Sequence, residues 1–149
     1  MALLDANILV YYDDEEAPQH GPSHALVRHA LAGLLPALLA PQVLLEYYRV
    51  VTHPQRVRVR LAPDAAWEQV TAFRARLPVL EVRPSALDIL GDLVATLRPR
   101  GPHVFDLYLA AQALSHNVHS LCTYNAADFR GITGLEAVTP EELLARYQL

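Results

Sequence analysis

The chain has 149 residues, of which 52% are apolar and 19% charged, with a mean hydropathy of +0.15; this is enough to build one domain around a full core and too apolar for intrinsic disorder. A net charge of −4 with neutral histidines excludes a global positive field, so any polyanion site must be local. All twelve basic residues are arginines, which removes Schiff-base, phosphate-loop lysine and serine–lysine chemistry.

A single cysteine closes no internal disulfide, and Asp5 interrupts the apolar start before it could serve as a signal segment, so a reducing cytoplasm is the expected compartment. The uncharged run Ala30 to Leu45 is too short for a bilayer span and contains Pro36 and Pro41, which argues against a membrane helix. There is no repeat or linker, so residues 1–149 are expected to form one domain.

In chain order, the apolar run Ala2 to Tyr12 predicts a strand buried on both faces, with room for a turn after Asn7. The acidic cluster Asp13 to Glu16 predicts a solvated loop. Pro22 to Leu34 predicts a helix and Ala37 to Ala40 a short strand. Pro41 suits a first helical position, and Val43, Leu44, Tyr47, Val50 and Val51 mark one face of a helix ending before Pro54. A helix from Pro63 to about Ala75, a strand Val79 to Val82, and a helix over Leu87 to Leu97 capped by Ser85 come next. After a turn at Arg98 to Pro102 there follow a helix over Phe105 to Leu114, strands Ser120 to Thr123 and Leu135 to Val138, and a last helix opened by Thr139-Pro140-Glu141-Glu142. This alternation predicts an α/β three-layer sandwich on a mainly parallel sheet of about five strands, with the functional site beyond the strands' carboxyl ends.

Three of the sixteen acids, Asp5, Glu46 and Asp106, interrupt apolar strings: Leu3-Leu4-Asp5, Leu44-Leu45-Glu46-Tyr47-Tyr48 and Val104-Phe105-Asp106-Leu107-Tyr108. A carboxylate removed from water costs on the order of several kcal/mol unless it is neutralised, hydrogen-bonded or paired. Only Arg49 lies within four residues of any of them, so local pairing serves at most one. Each acid singly could cap a helix or face solvent; together they suggest a shared cation. Oxygen-only donors favour Mg²⁺ or Mn²⁺ over zinc. Asp128, in Thr123-Tyr124-Asn125-Ala126-Ala127-Asp128-Phe129 after a short strand, is a fourth candidate at the same rim; Thr123, Asn125 and Asn7 could equally hydrogen-bond only the local backbone.

Taken in order, Leu3-Leu4-Asp5-Ala6-Asn7, the stretch from Leu45-Glu46 to His53-Pro54, Phe105-Asp106-Leu107-Tyr108-Leu109-Ala110-Ala111, and Thr123 to Phe129 resemble the PIN-domain ribonucleases, and more narrowly the VapC-like toxins of toxin–antitoxin pairs. The resemblance implies that Asp5, Glu46, Asp106 and Asp128 form an acidic catalytic pocket for Mg²⁺ or Mn²⁺, supported by Asn7, Thr123 and Asn125. It implies a metal-dependent endoribonuclease with an RNA substrate and a cognate antitoxin partner, and the apolar helices suit a homodimer or larger homo-oligomer. RNA would then need local cations. Arg56, Arg58 and Arg60 alternate with Val57 and Val59 and share one side if extended, though such a row also suits a solvated strand edge or dimer contact. Arg98 and Arg100, with His103, precede Asp106 and form a second candidate patch.

Other signals are weaker. His20 and His24 lack a third ligand, His116 and His119 suit helix-end capping, and Cys122 reads as a core residue. Trp67, Phe73, Tyr47 and Tyr108 read as core or interface aromatics. Competing functions are a catalytically silent PIN-like RNA-binding scaffold, a receiver-like phosphoacceptor domain, which the missing lysine disfavours, and an aspartyl-nucleophile phosphatase, which Asn7 disfavours where a second Asp would be expected.

Overall fold

Four short strands, β1 (Ala2–Leu4), β2 (Ala37–Leu38), β3 (Ser120–Cys122) and β4 (Glu136–Val138), pair in parallel in the order β2-β1-β3-β4 in the computed structural model, which describes residues 1–56, 58 and 60–149. Leu3 pairs with Leu38 on one side and with Leu121 on the other, and both flanking strands run parallel to β1. Parallel strands covered on both faces read as continuous apolar runs, and Leu3, Leu4, Leu121 and Cys122 are fully buried.

The strand expected at Val79 to Val82 contracts to one parallel bridge between Leu39 and Val79, so the sheet is four strands and a bridge. Pro78 has no N–H to extend a ladder, and Glu81 and Val82 are already exposed.

The helices are α1 (Ala6–Asp13), α2 (His20–Leu31), α3 (Pro41–Val51), α4 (Pro63–Arg76), α5 (Ser85–Leu97), α6 (His103–Ser115) and α7 (Pro140–Arg146), with a 3₁₀ turn at Ala126–Phe129. α1 packs between α2 and α3, α3 carries α4, α2 meets α7, and α6 lies against β3 and α5. No helix among the described residues is long and apolar enough to cross a membrane.

Three further expectations are corrected. The run Ala2 to Tyr12 is not one strand: Asp5 has extended backbone and accepts the Ala6 N–H, opening α1 within the apolar run. A wholly apolar stretch cannot by periodicity distinguish a buried strand from a buried helix. Ser85 is the first residue of α5 rather than its cap, since Pro84 holds the cap position and no side-chain bond closes it. The cluster Asp13 to Glu16 is not all solvated: Asp13 ends α1 half-buried and Asp14 is buried, leaving Glu15 and Glu16 exposed. The α3 start is as expected, with Pro41 at its first turn, and α7 opens on a capping box between Thr139 and Glu142.

Candidate active site

Strand order reverses direction at β1, whose next strand in sequence lies on one side and β3 on the other, and in open parallel sheets such a switch point leaves a crevice beyond the strand ends. Asp5 follows β1 there and Thr123 follows β3. The Thr123 hydroxyl donates to Asp5 Oδ2 at 2.7 Å and accepts the Asn125 N–H at 2.9 Å. Asn7 Nδ2 donates to Asp5 Oδ2 at 3.0 Å and to Thr123 Oγ1 at 3.1 Å, while the Ala6 N–H reaches Asp5 Oδ1 at 2.7 Å. Asp5, Asn7, Thr123 and Asn125 are thus one hydrogen-bonded unit.

These donors favour the Asp5 carboxylate, yet burial outweighs them, and the negative charges of Glu46 and Asp106 add to it: the Asp5 carboxyl is pushed up to about 6. Asp5, Glu46 and Asp106 line one open cavity of about 760 Å³, together with Asn7 and Asn125. Asp106, in the first turn of α6, is raised by burial and then by Asp128, against a smaller opposing effect of His103; Glu46 raises it further. Asp128, exposed in the 3₁₀ turn, stands beside Asp106 without lining the cavity, and its backbone carbonyl accepts from His103 Nε2 at 2.9 Å. Among the described residues none of these four carboxylates is ion-paired.

Among the described residues no three His, Cys, Asp or Glu side chains are gathered closely enough to enclose an ion by themselves. Carboxylates without a counter-ion repel one another, and Glu46 Oε1 is held by Gln42 Nε2 at 2.9 Å. An all-oxygen set spread around an open cavity fits a hard divalent ion that keeps several of its own waters.

The wall that also carries Asp5 and Glu46 includes Asp14, Arg49, Arg56 and Arg58. Arg58 Nη2 lies 3.2 Å and Arg56 Nη2 3.8 Å from Asp14 Oδ2. The Arg58 side chain is 50% exposed, so it can be held on one side while presenting N–H groups to the cavity. The alternating arrangement expected of this segment depends on Val57 and Val59, which lie outside the described residues. Arg60 donates instead to the Pro54 carbonyl at 2.9 Å. Arg98 and Arg100 line a separate depression with Val94 and Ala95, and neither is among the residues lining the acidic cavity.

The PIN domain family model matches residues 2–135. The chain belongs to the PIN domain family. Ribonuclease VapC48 of Mycobacterium tuberculosis is 30% identical over 138 residues, 91% of this chain and 94% of that protein. Among solved structures, VapBC2 from Rickettsia felis bound to a promoter DNA fragment superposes with a TM-score of 0.69 at 19% identity, covering 93% of this chain and 97% of that one. VapBC-1 from nontypeable Haemophilus influenzae gives 0.68 at 22% identity, covering 94% and 98%. At those identities the structures establish the fold, which is the expected α/β arrangement.

Within this PIN domain the sequence reading missed Asp14, taken for part of a solvated loop, and the glutamines Gln42 and Gln112. Gln112 is 1% exposed in α6, and the available signal was of the same kind as for the acids, a polar side chain inside the apolar string Leu109 to Leu114.

Proposed function

We propose that this PIN domain, spanning the whole chain, is a Mg²⁺- or Mn²⁺-dependent endoribonuclease and the toxin component of a toxin–antitoxin pair. The observation that carries the reading is the convergence of three carboxylates, Asp5, Glu46 and Asp106, with no ion pair among the described residues, from β1's end, α3 and α6 onto one cavity at the switch point. The ribonuclease relatives supply the substrate class.

Asp5, Glu46 and Asp106 would hold the metal, with Asp128 adding negative charge beside Asp106. Such an ion, when bound, lowers the pKa of a water and stabilises charge on phosphodiester oxygens. Asn7, Thr123 and Asn125 fix the Asp5 carboxylate so that its position does not depend on the ion. Arg56 and Arg58 would meet the RNA backbone at the cavity wall, a task suited to planar guanidinium donors; Arg60, Arg98 and Arg100 are outlying candidates for the same strand. Exposed Leu45, Val82 and Phe105 border a groove beside Glu46, an apolar surface that suits a homodimer or the antitoxin. A toxin–antitoxin complex among the solved neighbours supports the partner class.

Purified protein incubated with structured RNA is expected to cleave it with Mn²⁺ and not with excess chelator. The Asp5→Asn/Asp106→Asn variant is expected to be folded and inactive; full activity in it would overturn the assignment. Arg58→Ala is expected to weaken RNA binding and lower the slope of log affinity against log salt by about 0.7 for one lost phosphate contact on a single strand.

A further inference from the structure

Glu46 is held by a chain of two glutamines whose direction is determined by chemistry. Gln42 Nε2 donates to Glu46 Oε1 and to the Phe105 carbonyl, both at 2.9 Å. Each of those oxygens only accepts, so the amide nitrogen must face them and Gln42 Oε1 is left to accept. Gln112 Nε2 fills that role at 2.9 Å. Reversing either amide would place like groups against each other.

The link spans two elements. Gln42 lies one turn before Glu46 on α3, and Phe105 is the residue before Asp106 on α6. One amide group therefore ties the carboxylate of Glu46 to the backbone beside Asp106. Gln112 fixes the rotamer of that amide from inside the core, at a cost to the fold: its own Oε1 is buried without a partner among the described residues, a state that an apolar side chain of similar volume would avoid.

We propose that Gln112 and Gln42 are positioning residues that set the conformation of Glu46 and its separation from Asp106, and thereby the affinity of the cavity for a divalent ion. The inference rests on reading these carboxylates as metal-holding. Residues that orient metal-binding carboxylates typically change affinity by about 10–100-fold when removed.

The test uses Gln112→Leu, Gln42→Leu and the double variant, with Mn²⁺ binding measured by calorimetry, Tm measured in chelator, and kcat and KM measured on RNA. Gln112→Leu is expected to keep or raise the Tm in chelator and to weaken Mn²⁺ binding about tenfold or more. Gln42→Leu is expected to weaken it at least as much, and the double variant no more than Gln42→Leu alone, because Gln112 acts only through Gln42. At subsaturating Mn²⁺ the loss should fall on kcat rather than KM, and saturating Mn²⁺ should restore most of it. Should Gln112→Leu fail to fold, Gln42→Leu, at a half-buried surface position, decides the matter by the same binding measurement. Wild-type affinity in the folded variants, or losses that multiply in the double variant, would overturn the relay. A wild-type protein that takes up no Mn²⁺ would overturn the metal reading along with it.

Discussion

Asp106 and Asp5 carry the same charge in the same cavity and answer differently to neutralisation. Burial, followed by the neighbouring Asp128, raises the Asp106 carboxyl, and no hydrogen bond to that side chain compensates among the described residues. Its ionised form therefore opposes folding: the stability associated with the protonated form is present at acid pH and lost as pH rises through the raised value. Asp106→Asn is expected to raise the Tm of the metal-free protein at pH 7–8, with the gain shrinking toward pH 4, as followed by thermal melts in chelator. Asp5 ionises near 6 against an ordinary 3.8, so on the same sign its cost to the fold grows as pH rises from about 4 to 6 and stays at on the order of 3 kcal/mol above that. Asn at position 5 would turn an amide N–H₂ toward the donors of Asn7, so no comparable gain is expected there. All four acids stood out in the sequence, three because an apolar string makes a carboxylate conspicuous. Asp14 did not, because its neighbours Asp13, Glu15 and Glu16 mimic a solvated loop.

Helix starts were legible wherever a local signal sets them, as with Pro41 and the Thr139–Glu142 capping box. The α1 start was not, because its cap, Asp5, lies inside an apolar run and was noticed only as a misplaced charge. The end of α1 is tied to α3 by the Tyr47 hydroxyl, which donates to Asp13 Oδ2 at 2.5 Å. Tyr47 is fully buried and meets Phe73 edge-on, so Phe can keep the packing while losing the bond. Tyr47→Phe is expected to lower stability by about 1–2 kcal/mol, since Asp13 is only half-buried and water can replace part of the loss; a urea melt with unchanged m-value would measure it.

For the molecule as a whole, a divalent ion that binds the folded cavity alone should stabilise it by mass action. At about 100 times Kd the gain is about 2.7 kcal/mol, or a rise in Tm of roughly 5–10 °C for a chain of this size. With Asp5 holding the ion as proposed, protons would compete for it, so the Mn²⁺-induced shift should be larger at pH 8 than at pH 5. Differential scanning calorimetry at both pH values would check this, and equal shifts would argue against Asp5 as a ligand.

The amino-acid sequence by itself determined the α/β class, most of the helices and the identity of the acids, because hydrophobic period, capping residues and misplaced charges all report on burial within a few residues of chain. Only the tertiary structure decided that β1 lies between β2 and β3, so that Asp5 meets Thr123 across 118 positions, that Asp14 faces inward to Arg56 and Arg58, and that Gln112 reaches Glu46 through Gln42. Those partners are set by sheet order and helix packing, and a residue's own neighbours in the chain carry no information about which distant donor will face it.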